Sequence, residues 1–221
     1  MITLTLVAIL GVLLVIVLMK LFNHQEEPGP KGTPPRAPAT ATDLAHLKAT
    51  DARVGDMISV SGAGDELSDL DFTADRCAWF EAGPRRWFEL SGGYRERRVA
   101  LRVATGGDIE AVEAAVHTDA RKLTIEDLGV SEDDLAQMDE RQNTADFFEF
   151  DGKTWLYRLS REAQVRRSDE AEVAKFYYWE FQEQGGKGLL GIRKAEGEPF
   201  AVTLATTIYP GDVTVYRGGR A

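Results

Sequence analysis

Few residues in this 221-residue chain are of the types that bind metals or act as nucleophiles. The three histidines and the single cysteine are His24, His46, His117 and Cys77. Neither His46 nor His117 has a second histidine, a cysteine or a close carboxylate at metal-ligand spacing, so we predict no zinc site and no Cys–His pair. Cys77 lies beside the apolar residue Trp79, which favours a small buried side chain over a reactive thiol.

Carboxylates offer two further kinds of chemistry. Glu89 and Glu180 each flank aromatic residues, and two carboxylates in one cleft could perform acid–base catalysis. The alternation of a β-strand turns Glu89 away from its apolar neighbours, which instead favours a solvated sheet face. A second set of carboxylates could hold Ca²⁺ but lacks the spacing of an EF-hand, so a solvated turn is favoured; it comprises Asp65, Glu66, Asp69 and Asp71. We therefore predict no catalytic centre, no cofactor and no enzyme activity.

Aromatic and basic residues supply the candidate interaction surface. Most aromatic residues should fill the core, but an alternating strand must turn one member of an adjacent aromatic pair outward. Exposed aromatic side chains of this kind would mark a binding surface. One hairpin also carries a local cluster of positive charge, which could contact lipid headgroups or an acidic partner, or could be a solvated turn. The candidate residues are Trp79, Trp87, Tyr178, Trp179, Arg95, Arg97 and Arg98.

The apolar residues around these side chains recur with the period of two that is typical of β-strands. In one such run, Val99, Leu101 and Val103 alternate with Ala100 and Arg102, which predicts one buried and one solvated face. An Asp-Gly pair at positions 151–152 favours a tight hairpin turn. The predicted strands are residues 57–60, 72–81, 87–90, 99–103, 109–116, 147–150, 154–159, 176–182, 189–193, 200–208 and 213–216.

One helical segment interrupts the strands at residues 124–145, with Thr124 and Ser131 as candidate N-caps. It predicts a bridge between a first β lobe, residues 43–123, and a second β lobe, residues 146–221. A shift of 91 positions superposes Glu89 on Glu180 and Arg102 on Arg193 within similar hairpins, which indicates either a duplicated module or the likeness of any two amphipathic hairpins. The predicted fold class is mainly β: two related antiparallel β lobes bridged by a short helix and preceded by one N-terminal transmembrane helix.

The N-terminal segment predicts a membrane anchor. The stretch 2–22, with Ile2 at its start and Phe22 at its end, is long and apolar enough to cross a bilayer as a helix. It lacks the leading basic residues and the cleavage site of a secretory signal. Basic residues follow this transmembrane helix, residues 1–22, and none precedes it, so we expect a single-pass protein of the inner membrane with a cytoplasmic C-terminal domain. Residues 23–42 hold five of the eight prolines and predict an extended tether.

The overall charge limits the partners of the domain. The formal net charge is −10 at pH 7. A body of this charge is repelled by phosphate backbones, so we predict no nucleic-acid binding. The single cysteine fits the reducing conditions of the cytoplasm.

Several stretches carry a family resemblance. The runs VGDMISV, WFELSGGYRERRVALRV, FFEFDGKTWLYRLS and FYYWEFQEQGGKGLLGIRK together resemble the bacterial family named domain of unknown function 4178. The resemblance covers residues 54–216, and its most specific parts are Gly55-Asp56 and the strands at 87–90 and 178–181. It implies small β-rich modules, often paired in one chain. Members tend to be encoded near phage-shock-type membrane-stress proteins and polyamine-synthase-like proteins, which implies an accessory role at the envelope and no catalytic residues.

Two hypotheses of function follow. The first is a membrane-anchored, non-enzymatic adaptor or accessory protein of the bacterial envelope, related to membrane stress, with a protein partner at the membrane. The alternative is a sensor domain that binds a small polyamine-like cation, because acidic walls raise the local concentration of cations.

Overall fold

The computed structural model describes residues 47–106, 109–168 and 172–218. Within them the chain forms eleven β-strands, and each coincides with a segment that the sequence predicts as a strand. The mainly β class is therefore confirmed. The strands are β1 (Met57–Val60), β2 (Leu70–Ala82), β3 (Arg85–Tyr94), β4 (Arg97–Gly106), β5 (Ile109–His117), β6 (Phe147–Phe150), β7 (Lys153–Arg167), β8 (Val173–Glu183), β9 (Gly188–Lys194), β10 (Ala201–Ile208) and β11 (Val213–Tyr216).

Eight of these strands close into an antiparallel barrel. Their order around the barrel is β2-β3-β4-β5-β10-β9-β8-β7, and the pairing of β2 with β7 completes the ring. The strands of the first predicted lobe meet those of the second along two seams, β2–β7 and β5–β10. Both predicted lobes therefore contribute four strands to one barrel, while β1 with β11, and β6, extend the sheet beyond it.

The outer face of each half of the barrel is covered by its own apolar layer. On β3, β4 and β5, the outward side chains pack beneath β1, β11 and the segment at residues 47–52. On β7 to β10, they pack beneath residues 123–138. Since the inner face is enclosed by the barrel itself, both faces of most barrel strands are buried, which leaves few outward positions for solvated side chains.

The tight turn between β6 and β7 is the one that the Asp-Gly pair predicts. Phe150 pairs with Lys153 across it, so the turn has two central residues. Both of them, Asp151 and Gly152, have positive φ values of 57° and 70°. A type I′ turn requires this conformation and matches the right-handed twist of the strands, which explains the preference for Asp-Gly.

The one α-helix of the described residues, α1 (Glu132–Arg141), lies within the predicted helical bridge. Ser131 is its N-cap: its hydroxyl accepts a hydrogen bond from the amide of Asp134, and the Asp134 carboxylate accepts one from the amide of Ser131. Thr124 caps only a turn. The helix buries Leu135 and Met138 against the barrel.

Replacing the N-cap should weaken this attachment. We expect Ser131→Ala to lower the free energy of unfolding by about 1 kcal/mol, because the Asp134 amide loses its acceptor and the Asp134 carboxylate loses the hydroxyl donor of Ser131. Urea unfolding of the full-length chain in detergent, followed by tryptophan fluorescence, measures the difference. Thr124→Ala is the matched control and should have a smaller effect, since its hydroxyl accepts a 3.4 Å bond outside any helix. Equal effects would contradict the assignment of the cap.

The predicted transmembrane helix, residues 1–22, and the predicted tether, residues 23–42, lie outside the described residues. Among the residues that are described, no helix is long and apolar enough to cross a membrane.

Candidate functional site

The inner face of the barrel carries charged side chains rather than a purely apolar core. The sequence predicts that Arg102, Glu89 and Glu180 lie on solvated sheet faces, and this prediction is wrong. Glu180 is completely buried, at 0% exposure, Arg102 is buried, and the Glu89 side chain is mostly enclosed. The alternation along β4 is correct, but its polar face lines the inside of the barrel while its apolar face packs beneath the outer layer.

Five charged side chains of the inner face form the central cluster, defined here as Arg85, Arg102, Glu113, Arg158 and Glu180. Arg102 Nη2 donates to Glu180 Oε2 over 2.6 Å. The other carboxylate oxygen, Oε1, lies 3.2 Å from Arg85 Nη2 and 3.3 Å from Arg158 Nη1. Arg85 and Arg158 also donate to Glu113, over 2.7 and 3.2 Å. Each carboxylate therefore faces at least two guanidinium groups, and five strands are joined by ionic contacts.

Aromatic rings surround this cluster. Tyr178 donates its hydroxyl hydrogen to Glu180 over 2.8 Å and accepts a bond from Arg102 over 3.0 Å. The Arg102 guanidinium lies 4.5 Å above the Trp87 ring, which stacks on Phe80. On β9, Gly191 leaves the space beside Tyr178, because a Cβ there would come within 3.1 Å of the tyrosine hydroxyl. Arg102 and Glu180, at the centre of the cluster, are thus paired and shielded from water, whereas Glu113 and Arg158 at its margin are partly exposed.

The ionisation of Glu180 reflects this environment. Burial alone would raise its pKa, but the guanidinium groups of Arg102, Arg85 and Arg158 outweigh burial and lower the pKa to about 2. A carboxyl with a depressed pKa stabilises the fold at pH values above its unfolded pKa, and this contribution is lost as the pH falls to the folded value. We expect stability to decline between pH 4.5 and about 2, and Glu180→Gln to flatten this decline. Unfolding midpoints across this range would reveal the slope, and an unchanged slope in the variant would contradict the assignment.

A second group of polar residues lies at one end of the barrel, where β5 ends. It lines a cavity of about 240 Å³, called the mouth cavity here, whose polar walls are Glu89, His117, Asp119, Arg121 and Thr203. Glu89 Oε1 accepts bonds from Arg193 over 2.9 Å and from the Trp87 indole over 3.1 Å. His117 Nε2 lies 3.8 Å from the same oxygen. This pair could not be predicted from the sequence, because the two residues are 28 positions apart and two strands apart in the sheet.

The protonation of His117 follows from its contacts. Nδ1 lies 3.2 Å from the carbonyl oxygen of Leu204. A carbonyl only accepts, so Nδ1 carries the hydrogen and Nε2 presents a lone pair. Burial lowers the pKa of His117, and the nearby Glu89 carboxylate only partly opposes this. The ring is therefore neutral at pH 7. Nε2 has no hydrogen-bond partner among the described residues.

The predicted aromatic surface is largely buried, which corrects the sequence-based expectation. Trp87, at 2% exposure, and Tyr178 lie inside the barrel, and Trp179 is covered by α1, whose Leu135 carbonyl accepts its indole N–H. The reason is that both faces of these strands are covered, so adjacent aromatic residues need not reach solvent. Of the four, Trp79 alone is exposed, at 42%, with Arg166 over its ring.

The predicted basic cluster is at the surface, on the turn between β3 and β4. Arg95 and Arg97 both donate to Asp65, over 2.7 and 2.5 Å. Arg98 pairs with Asp75. The positive charge of this turn is thus largely balanced by acidic residues of the same molecule. Asp65 belongs to the acidic cluster that the sequence analysis considered for Ca²⁺. In the described part of the chain, no group of residues is suited to hold a metal ion.

Cys77 is buried, as its apolar neighbours predict. Burial, together with the nearby Glu89 carboxylate, raises the pKa of the thiol to about 11. Because the thiolate is the reactive form, we expect the folded chain to react with iodoacetamide at pH 8 at least about 100-fold more slowly than the urea-unfolded chain. Mass spectrometry of the alkylated protein measures both rates. Similar rates would show that the thiol is accessible and reactive.

Comparisons with known proteins add no relative: no family model matches the chain, and no curated protein or solved structure is significantly similar to it. The resemblance to the domain of unknown function 4178 family therefore stays a prediction.

Proposed function

We propose that this chain is a membrane-anchored, non-enzymatic accessory protein of the bacterial envelope, related to membrane stress, whose barrel serves as an adaptor for a protein partner. One observation carries the proposal. Within the described residues, β6 and β11 are the ends of the sheet and pair on one side only. Each carries an exposed aromatic residue, Phe147 at 57% and Tyr216 at 51%.

Such edges suit an adaptor. An edge strand presents unpaired N–H and C=O groups that an extended segment of another protein can join as an additional strand. The exposed aromatic side chains would add apolar contact at the same place. The charged residues inside the barrel support a non-enzymatic role, since Glu180 is enclosed and held by three arginines.

Crosslinking in intact cells, followed by capture of the full-length protein from detergent, tests the adaptor. We expect a stoichiometric partner that is lost when the edges are blocked by Phe147→Lys and Tyr216→Lys. Leu67→Lys is the matched control: Leu67 is an exposed apolar residue outside both edges, and this variant should retain the partner. A partner that survives both edge substitutions, or no partner at all, would overturn the proposal.

The membrane location belongs to the same proposal. It rests on the apolar stretch 2–22 and on the basic residues at and beyond the C-terminal end of this stretch, Lys20, Lys31 and Arg36. We expect an inner-membrane protein with its domain in the cytoplasm. Protease added to intact spheroplasts should leave the domain uncut and should cut it only after the membrane is opened; digestion before opening would place the domain on the outer side.

A second candidate function is a sensor domain that binds a small polyamine-like cation. The mouth cavity favours it, because the carboxylates of Glu89 and Asp119 form part of its lining. The adaptor and the sensor differ in their readouts, since one requires a macromolecular partner at the sheet edges and the other a small molecule inside the barrel.

We also propose that the two halves of the barrel are related by duplication. A shift of 91 positions carries Ala115 onto Thr206 and Val116 onto Thr207. At the β5–β10 seam, Ala115 pairs with Thr207 and Val116 pairs with Thr206. Each residue therefore lies opposite the counterpart of its neighbour, which is the pairing expected if a two-fold axis between the strands relates the two halves. The halves differ elsewhere: the β2–β3 turn has two central residues, whereas residues 168–172 separate β7 from β8.

A further inference from the structure

The outer edge of β6 presents unpaired backbone groups in a regular pattern. The pairing of β6 with β7 continues into a hydrogen bond from the Tyr157 amide to the Asp146 carbonyl. Bonded and non-bonded residue pairs alternate along an antiparallel ladder, so the backbone of Phe148 also points toward β7. The backbones of Phe147 and Glu149 point the other way, where no strand of the described residues lies. This edge therefore offers two N–H and two C=O groups to an additional strand.

The side chains of the same two residues face solvent. Phe147 and Glu149 are exposed, whereas Phe148 and Phe150 pack into the outer apolar layer of the barrel. Within the part of the chain that the structure describes, the Glu149 carboxylate forms no ion pair and no hydrogen bond. A strand added to β6 would thus meet one apolar side chain and one free carboxylate, two positions apart.

The charge around this edge is negative. Three carboxylates lie in and beside the strand, those of Asp146, Glu149 and Asp151, and no basic residue lies between them. Asp146 is paired with Arg141, and Asp151 lies 3.4 Å from Arg121, which leaves Glu149 for a partner. A second copy of the chain at this edge would bring a second set of the same carboxylates beside the first, so the charge disfavours self-association.

These features select the occupant of the edge. In an antiparallel ladder, an opposite charge directly across from Glu149 is favourable and a like charge is unfavourable. An aromatic or β-branched side chain two positions further along the added strand would lie across from Phe147 and contact its ring. The edge at β11 offers no such selection by charge, since its solvent-facing residues are Thr214 and Tyr216.

We propose that the β6 edge binds an extended segment of a partner protein that carries a basic residue and, two positions later, an aromatic or β-branched residue. The segment adds to β6 as an antiparallel strand, with its basic residue across from Glu149 and its apolar residue across from Phe147. The inference rests on the adaptor function proposed above and names the edge and the chemistry of the partner. Because β6 has only four residues, the partner segment is short.

The test is the fluorescence anisotropy of labelled peptides titrated with the full-length chain in detergent. The probe is a threonine heptapeptide with lysine at its third position and phenylalanine at its fifth. We expect saturable binding, and binding weaker by at least about tenfold when glutamate replaces the lysine, because an attractive cross-strand pair becomes repulsive. Equal binding of the two peptides would overturn the assignment of the charge.

Backbone methylation of the probe separates strand addition from adhesion of its side chains. Methylating the amide nitrogens of the lysine and the phenylalanine should weaken binding by at least about tenfold, because these amides form the ladder hydrogen bonds with Glu149 and Phe147. Methylating the amide of the central threonine, which points away from β6, is the matched control and should have little effect. Equal effects of the two methylations would contradict an added strand.

Charge reversal in the chain locates the binding. We expect Glu149→Lys to bind the glutamate peptide more tightly than the lysine peptide. Glu196→Lys makes the same change in net charge at an exposed position outside both edges and should keep the original preference. Thr214→Lys, on β11, should keep it too. An unchanged preference in a folded Glu149→Lys variant would overturn the inference, and loss of binding in Thr214→Lys would place the segment on β11 instead.

The remaining outcomes separate this inference from the adaptor function. No binding of the lysine peptide by the unmodified chain would overturn the inference, while capture of a partner from cells would still test the adaptor by itself. A concentration-dependent dimer in detergent that Phe147→Lys abolishes would identify a second copy of the chain as the occupant and would also overturn the inference.

Discussion

Glu180→Gln should lower the free energy of unfolding by about 4 kcal/mol, the largest effect that we expect from a change of this size. The substitution preserves the shape of the side chain but removes the negative charge that faces Arg85, Arg102 and Arg158. Arg85 and Arg158 would then keep only Glu113, and Arg102 would keep only its longer-range attraction to Glu89. Uncompensated charge inside a protein is costly because water no longer solvates it. Urea unfolding of the full-length chain in detergent measures the loss.

Glu113→Gln is the matched control. It removes the same charge from the same cluster, but the Glu113 side chain is partly exposed, so solvent screens its contacts with Arg85 and Arg158. We expect a loss of no more than about 1 kcal/mol. A small effect of Glu180→Gln, equal to that of the control, would mean that water reaches the centre of the barrel and would contradict the enclosed cluster.

Trp87→Ala should destabilise the chain by about 4 kcal/mol. The indole stacks on Phe80 with ring centroids 5.0 Å apart, lies beneath the Arg102 guanidinium and donates to Glu89. Truncation therefore leaves a cavity and removes contacts from two charged groups at once. The free energy of unfolding is best followed by circular dichroism, because the substitution removes one of the four tryptophans that report by fluorescence.

Trp79→Ala provides the comparison within the same hairpin. Trp79 is 42% exposed and contacts Arg166 at the surface, so its truncation should cost about 1 kcal/mol or less. Both tryptophans belong to the surface that the sequence predicts, and only the structure separates them. Equal losses for the two variants would place them in similar environments and would contradict the burial of Trp87 inside the barrel.

The local structure could largely be predicted from the sequence. Strands have a period of two, the Asp151-Gly152 pair favours a type I′ turn, and Ser131 followed by acidic residues favours a helix N-terminus; each of these is a property of a few neighbouring residues. All three predictions are confirmed. The closure of the barrel was not predicted, because the β2–β7 and β5–β10 seams join segments that are far apart in the chain.

The candidate site was missed for a related reason. Alternation along β4 shows that Arg102 and Leu101 face opposite ways, but it does not show which face meets water. A polar face normally indicates solvent, whereas here arginines and glutamates from several strands neutralise one another inside the barrel. Two features together could have revealed this. The polar faces of these strands carry both positively and negatively charged residues, and the strands are rich in alanine and glycine. His117 and Glu89 meet only because the barrel closes around them.

The central claim is that the two halves of the chain enclose one paired ionic interior, and a double-mutant cycle between Arg102 on β4 and Glu180 on β8 tests it most directly. Unfolding free energies of the unmodified chain, Arg102→Met, Glu180→Gln and the double variant isolate the interaction between the two side chains. We predict a coupling of at least about 2 kcal/mol, because the pair is buried and joined by a 2.6 Å bond. Additive losses, with no coupling, would show that the two halves do not meet at this pair and would contradict the closed barrel.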